Sequence, residues 1–146
     1  MAEALPHSWW YKRSLRVLAW FAYAAGIFYL SSRNWHTSAW LPEGADKIVH
    51  FFLYAFFAIC TAWALRLTRL RHHKKLIFFA VIIVALYGAS DEFHQSFVSG
   101  RSSSFYDWLA DLIGAGIGAR IAWQLALWKE KKYAAQLRKS PTEFSA

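Results

Sequence analysis

Cysteine is almost absent from this chain of 146 residues. Cys60 stands alone, so no intrachain disulfide can form and no thiolate cage can hold a metal. A glycine-rich phosphate loop, an internal repeat and a low-complexity linker are also missing. Ser90 and Ser96 lie outside any recognisable nucleophile motif, which argues against serine catalysis. The opening Met1-Ala-Glu-Ala-Leu-Pro6 lacks a basic stretch followed by an apolar core, so it is not expected to be a cleavable signal. No uncharged run reaches the ~20 residues of a full membrane span.

What is abundant is apolar surface. The chain is 57% hydrophobic and 19% aromatic, with nine Trp, more than a soluble domain of this size can hide. Four segments approach membrane length when their polar ends lie at the interface: Leu15–Ser31, Asp46–Arg66, Leu76–Gln95 and Asp107–Leu127. At ~1.5 Å per residue each nearly or fully crosses a ~30 Å hydrocarbon core. The expected fold is all-α, an integral membrane four-helix bundle. Residues 1–14 form a cytoplasmic lead, 15–127 the transmembrane domain and 128–146 a basic cytoplasmic tail.

The net charge of +8 does not imply nucleic acid, because its distribution is that of a membrane protein. Lys12, Arg13 and Arg16 stand at the start of the first segment, five stand from the end of the second (Arg66) to the third, and five follow the fourth. Only Arg33, Lys47 and Arg101 lie in the other two loops, so the two sides carry thirteen against three. Arg120 stands inside the last segment. Basic loops stay cytoplasmic, which predicts both termini inside and a multi-pass protein of the cytoplasmic (inner) membrane. Trp9, Trp10 and Tyr11 suit an aromatic interfacial belt, and the loop Ser32–Ala45 is expected to dip into the interface. Ser96–Tyr106, rich in Ser and Gly, is expected to be a mobile cover. Gly114, Gly116 and Gly118 include a GxxxG step for close helix packing.

Polar residues gather at the outer ends of three segments. Asp46 and His50, Asp91 and Gln95, and Asp107 and Asp111 are each spaced by four, placing each pair on one helix face. Counted inward from those ends, His50, Asp91 and Asp111 stand at a common depth of ~6 Å. Titratable groups at such depth need partners or a wet cavity. Asp46 and Asp107 open their helices and could serve as caps. Glu92 points about 100° from Asp91 and is expected at the interface or paired with Lys47 or Arg101. Tyr54 and Tyr87, one turn below His50 and Asp91, could bond across helices or simply pack.

Two chemistries suit these residue types. His50, Asp91, His94 and Asp111 form a set able to ligate a divalent metal ion, with Asp91 and His94 at i, i+3. Without metal, a His–Asp pair can serve as general base, while Arg101 or Lys47 holds a phosphate. His50, Asp91, His94 and Asp111 are therefore the candidate catalytic residues. Asp46, Lys47, Tyr54, Glu92, Gln95, Arg101 and Asp107 are the candidate substrate-binding residues.

Taken together, Asp46-Lys-Ile-Val-His50, Asp91-Glu-Phe-His-Gln95, Gly100-Arg101 and Asp107-Trp-Leu-Ala-Asp111-Leu-Ile-Gly114 resemble the VanZ-like family over about residues 28–119. The resemblance implies a small polytopic membrane protein with these residues in its site. Asp111 departs from the pattern, since family members often carry Asn there. The family is similar to an accessory protein of teicoplanin resistance and is mostly described without an assigned reaction. Two functions follow as expectations. One is an enzyme or lipid-modifying factor acting on an anionic envelope lipid, with membrane lipid or a lipid-linked envelope substrate as partner and no nucleic acid. The other is a non-catalytic accessory protein altering access of glycopeptide-type antibiotics to the cell surface. An ion pathway is disfavoured, because no relay continues inward beyond Asp111 and Arg120.

Overall fold

Heptad-like burial organises the chain into four helices, α1 (His7–Ser31), α2 (Ala45–Leu65), α3 (Lys75–Gln95) and α4 (Phe105–Lys139). The computed structural model describes residues 7–33, 44–68, 70 and 74–139, and among them there is no strand. The expectations for the first outer loop beyond Arg33, for the far ends of the lead and tail, and for most of the loop between α2 and α3 lie outside the described residues.

Each inner helix buries one stripe. In α2 it runs through His50, Tyr54, Phe57, Ala58, Thr61 and Ala62. In α3 it runs through Leu76, Ala80, Val84, Gly88, Asp91, Glu92 and Gln95. Both follow the i, i+3, i+4 rhythm of a helix face. The opposite faces are also apolar: Phe52, Phe56, Trp63, Phe78, Phe79, Ile82 and Leu86 are all exposed. Large hydrophobics outside and polar groups inside are tolerable only where the surroundings are themselves apolar. α1, α2 and α3 are long and apolar enough to cross a membrane, and this is a multi-pass membrane protein. α4, less apolar and carrying Asp107, Asp111 and Arg120, is not among these three.

Two helices exceed their expected bounds. α1 begins at His7 rather than Leu15, because nothing in the basic, aromatic lead stops a helix. α4 continues to Lys139. Its 35 residues make a rod of roughly 50 Å, well beyond a ~30 Å hydrocarbon core.

α4 packs most extensively on α2, and small residues make this possible. A Cβ on Gly114 would fall on the Phe51 carbonyl, and one on Gly118 on that of Ala55. Gly116, on another side, faces open space. Gly118→Leu is therefore expected to destabilise the bundle by about 3 kcal/mol or more, since backbone cannot yield as a side chain can. Gly116→Ala should be neutral or stabilise by up to ~1 kcal/mol through helix propensity. Unfolding of both variants in mixed micelles checks the contrast, and equal losses would refute the packing assignment.

The remaining contacts join aromatic polar tips across helices. Trp20 Nε1 donates to Thr61 Oγ1 at 2.8 Å, and Tyr23 hydroxyl to the Leu53 carbonyl at 3.0 Å. Tyr87 hydroxyl donates to the Ala24 carbonyl at 2.6 Å, and Trp108 Nε1 to that of Ala85 at 3.1 Å. Each buries an aromatic body while satisfying its hydrogen-bonding end. These bonds tie α1 to α2 and α3, and α3 to α4.

Candidate functional site

The start of α2, the end of α3 and the start of α4 meet at one end of the bundle. Their polar residues meet there too. His50 Nδ1 lies 2.9 Å from Asp111 Oδ1, and Asp111 is fully buried. The contact forms because each residue is one turn inside its helix and the glycine seam draws α2 and α4 together. On the same face, Tyr54 hydroxyl donates to Asp91 Oδ2 at 3.1 Å, and Gln95 Nε2 donates to that oxygen at 3.0 Å. Tyr54 thus bonds across helices rather than merely packing, and the Asp91–Gln95 spacing closes a bond along α3.

Glu92 departs from its expected position. It is buried, 6% exposed, rather than turned to the interface or paired with a lysine or arginine. Its Oε2 accepts the Ser104 backbone N–H at 2.8 Å, and Oε1 stands 3.9 Å from His50 Nδ1. The α3–α4 connection folds back over Glu92 and supplies a donor, a partner that spacing along α3 alone does not reveal. That connection, expected as a mobile cover, is thus anchored at Ser104. It turns at Gly100, whose φ of 78° favours glycine, and Arg101 Nε then donates to the Ser31 carbonyl at 3.4 Å.

The two carboxylates expected as caps stand in the first turns of their helices, where they suit the dipole, and both are also tied to Lys47. Gly44, at φ 84°, occupies the cap position of α2 without a side-chain cap bond, and Asp46 follows in the first turn. α4 starts two residues before Asp107. Lys47 Nζ bridges both acids, 2.9 Å from Asp46 Oδ2 and 3.2 Å from Asp107 Oδ1. Asp46 and Lys47 are about half exposed and form the rim, whereas Asp107 is buried.

His94 is not brought into this cluster. Its Nε2 lies 3.0 Å from Ser32 Oγ and its ring packs on Phe28, on the α1 side of α3. The four-residue metal set His50, Asp91, His94 and Asp111 therefore does not assemble. Among the described residues, the three whose ligand atoms do lie together are His50, Glu92 and Asp107, all within 4.8 Å of one another.

Several buried carboxylate oxygens lack a hydrogen bond: Asp91 Oδ1, Glu92 Oε1, Asp107 Oδ1 and Asp111 Oδ2. For Asp107 Oδ1 the Lys47 ammonium is near enough for ion pairing, so its isolation is partial. Asp111 Oδ2 lies against Gly88, where a Cβ would stand 2.9 Å from it. Gly88 thus makes room for the Asp111 carboxylate, a contribution not singled out from sequence. Its signal was a glycine one turn before Asp91. Ser32 and Ser104 were also missed, and a serine's loop position gives no sign of its partner.

An imidazole held by a carboxylate through Nδ1 can take a proton at Nε2 or ligate a cation there. The Ser103 hydroxyl reaches Glu92, and the Tyr54 hydroxyl is committed to Asp91. Comparison with curated proteins and with solved structures returns no match. A family profile described as VanZ/LLP1 matches residues 5–128, which take in all the cluster residues and the glycine seam. With most of its length matched by that profile, the chain belongs to the VanZ/LLP1 family.

Proposed function

We propose that this protein is an integral membrane enzyme acting on the polar head of an anionic envelope lipid, with the cluster around His50 and Asp111 as its site. In this reading it resides in the cytoplasmic (inner) membrane with both termini inside, α4 is a fourth span and the site opens outward. Residues 15–127 form the membrane body between a short lead (1–14) and a basic tail (128–146).

The observation that supports it is the burial of four carboxylates and His50 at one end of helices whose outer faces are apolar. Desolvating so many titratable groups is costly, and such a concentration in a membrane protein is the usual mark of a working site. His50, positioned by Asp111, faces the reacting group. Asp91 is held in one orientation by Tyr54 and Gln95. Lys47, on the rim, and Arg101, beside Ser31, are the cations that meet the headgroup phosphate. His94 acts from outside the cluster by fixing the α1–α3 contact through Ser32.

A non-catalytic accessory function, altering access of lipophilic glycopeptide-type antibiotics to the cell surface, is the second reading. The lack of a recognisable nucleophile motif in the sequence supports it. Native mass spectrometry in detergent with phosphatidylglycerol and phosphatidylethanolamine tests lipid recognition. Phosphatidylglycerol should be retained about tenfold more strongly, a ~1.4 kcal/mol preference, and Lys47→Ala with Arg101→Ala should abolish it. Equal retention of both lipids would count against an anionic substrate. Headgroup turnover in proteoliposomes, lost in Asp91→Asn, then separates the enzyme from the accessory protein.

A further inference from the structure

The buried cluster holds more negative charge than its own residues neutralise. Asp91, Glu92, Asp107 and Asp111 contribute four carboxylates, against one ammonium from Lys47 and one imidazole from His50. Even with both of those charged, two negative charges remain when all four acids are ionised. Glu92 and Asp111 are each more than nine-tenths buried, and each leaves one oxygen without a hydrogen bond. Glu92 Oε1 is directed at His50.

We propose that His50, Glu92 and Asp107 form a binding site for a divalent transition-metal ion. One ligand atom from each residue lies within 4.8 Å of the other two. Ligands sharing an ion at ~2.0–2.2 Å stand up to about 4.4 Å apart, so closing the set takes only a small side-chain adjustment. The three residues come from three different helices, which fixes the site by tertiary packing rather than by one local motif. One imidazole and two carboxylates suit a first-row divalent ion such as Mn2+.

The surrounding contacts fit that role. The Asp111 carboxylate, 2.9 Å from His50 Nδ1, orients the imidazole that would offer a ring nitrogen to the ion. Glu92 is steadied from its other oxygen by the Ser104 N–H. Lys47 is the competitor: its ammonium stands 3.2 Å from Asp107 Oδ1, yet its side chain is 41% exposed and can withdraw toward Asp46. A bound cation would also let an acidic cluster receive an anionic headgroup. The metal site nevertheless stands apart from any lipid activity and is tested without lipid substrate.

The test uses the full-length protein in detergent, stripped with chelator and titrated with Mn2+. One ion per chain should bind, and pulsed electron paramagnetic resonance should show 14N modulation from a coordinated imidazole. Glu92→Gln and Asp107→Asn should each weaken binding at least tenfold, and His50→Ala should remove the 14N signal. Glu130→Gln, in the ion pair with Arg66 near the other end of α2, should change nothing. Lys47→Met should bind Mn2+ several-fold more tightly, a gain that misfolding cannot produce. Absence of 14N modulation from the wild-type protein would overturn the proposal. So would Mn2+ affinity that stays unchanged in both Glu92→Gln and Asp107→Asn.

Discussion

Replacing His50 alone with leucine should lower stability by roughly 3–5 kcal/mol, whereas replacing His50 and Asp111 together should restore most of that loss. The argument rests on what the single substitution leaves behind. Asp111 is fully buried, its Oδ2 already has no hydrogen bond, and its Oδ1 is served by His50 Nδ1. Removing the imidazole strands both oxygens in an apolar interior, and breaking a buried pair from one side typically costs about 3–5 kcal/mol. Removing both members exchanges the pair for apolar packing, which is often neutral or stabilising by about 1–4 kcal/mol. Leucine branches at Cγ as aspartate does, so it can occupy the niche beside Gly88 with little change of shape. Asp111→Leu alone should be milder than His50→Leu, because an imidazole at 8% exposure still reaches the rim. Reversible unfolding in mixed micelles without added metal gives all four corners of the cycle. A coupling energy near zero would mean that the contact contributes nothing to the fold. All three variants should lose any headgroup activity regardless of their stability, which separates the role in folding from the role in the site.

Sequence spacing revealed the depth of this cluster but not its pairing. The i, i+4 steps placed His50, Asp91 and Asp111 at one level on their helices, where His50 meets Asp111 and Asp91 meets Tyr54 instead of either of them. Helical periodicity says which residues share a face of one helix. It says little about the rotation of one helix against another, and that rotation decides the contacts of Glu92 and His94. A one-residue difference along α3 turns a side chain by about 100°. On α3 two residues, a turn of about 200°, separate Glu92, directed inward to His50, from His94, directed outward to Ser32, the reverse of the expected assignment. The glycine seam fixes the rotation of α4 on α2, because Gly114 and Gly118 must both face the α2 backbone. The GxxxG step was legible, but its partner residues, Phe51 and Ala55, were not. Helices α1 and α4 run past the ends of their apolar segments for a different reason. The basic and aromatic residues before Leu15 and after Leu127 end a hydrophobic span, but they are acceptable helix formers and do not end a helix.

The long α4 makes the membrane orientation testable from both directions. With both termini inside, reporter fusions after Arg33 and after Arg101 should be active only outside the cytoplasm, and one after Leu70 only within it. The expectation rests on the thirteen-to-three excess of Lys and Arg on the side of the termini. The same orientation predicts where α4 goes after its apolar part. Trp128 and Tyr133 are exposed, and they flank Lys129, Lys131 and Lys132 beyond the last apolar stretch. Aromatic rings favour the interface, and lysines favour an anionic cytoplasmic leaflet by about 1 kcal/mol each near the surface. Arg66 at the end of α2 pairs with Glu130 and holds this part of α4 beside that end of α2. Cysteines introduced at Ser102 and at Gln136 in a Cys60→Ala background provide the complementary measurement. A membrane-impermeant maleimide applied to intact cells should label Ser102→Cys and leave Gln136→Cys unmodified until the membrane is opened. The opposite labelling would reverse the protein, and the cluster of His50, Glu92, Asp107 and Asp111 would then face the cytoplasm. In that case a cytoplasmic metabolite or the inner leaflet would have to supply its ligand, and the outward-facing lipid reading would fail.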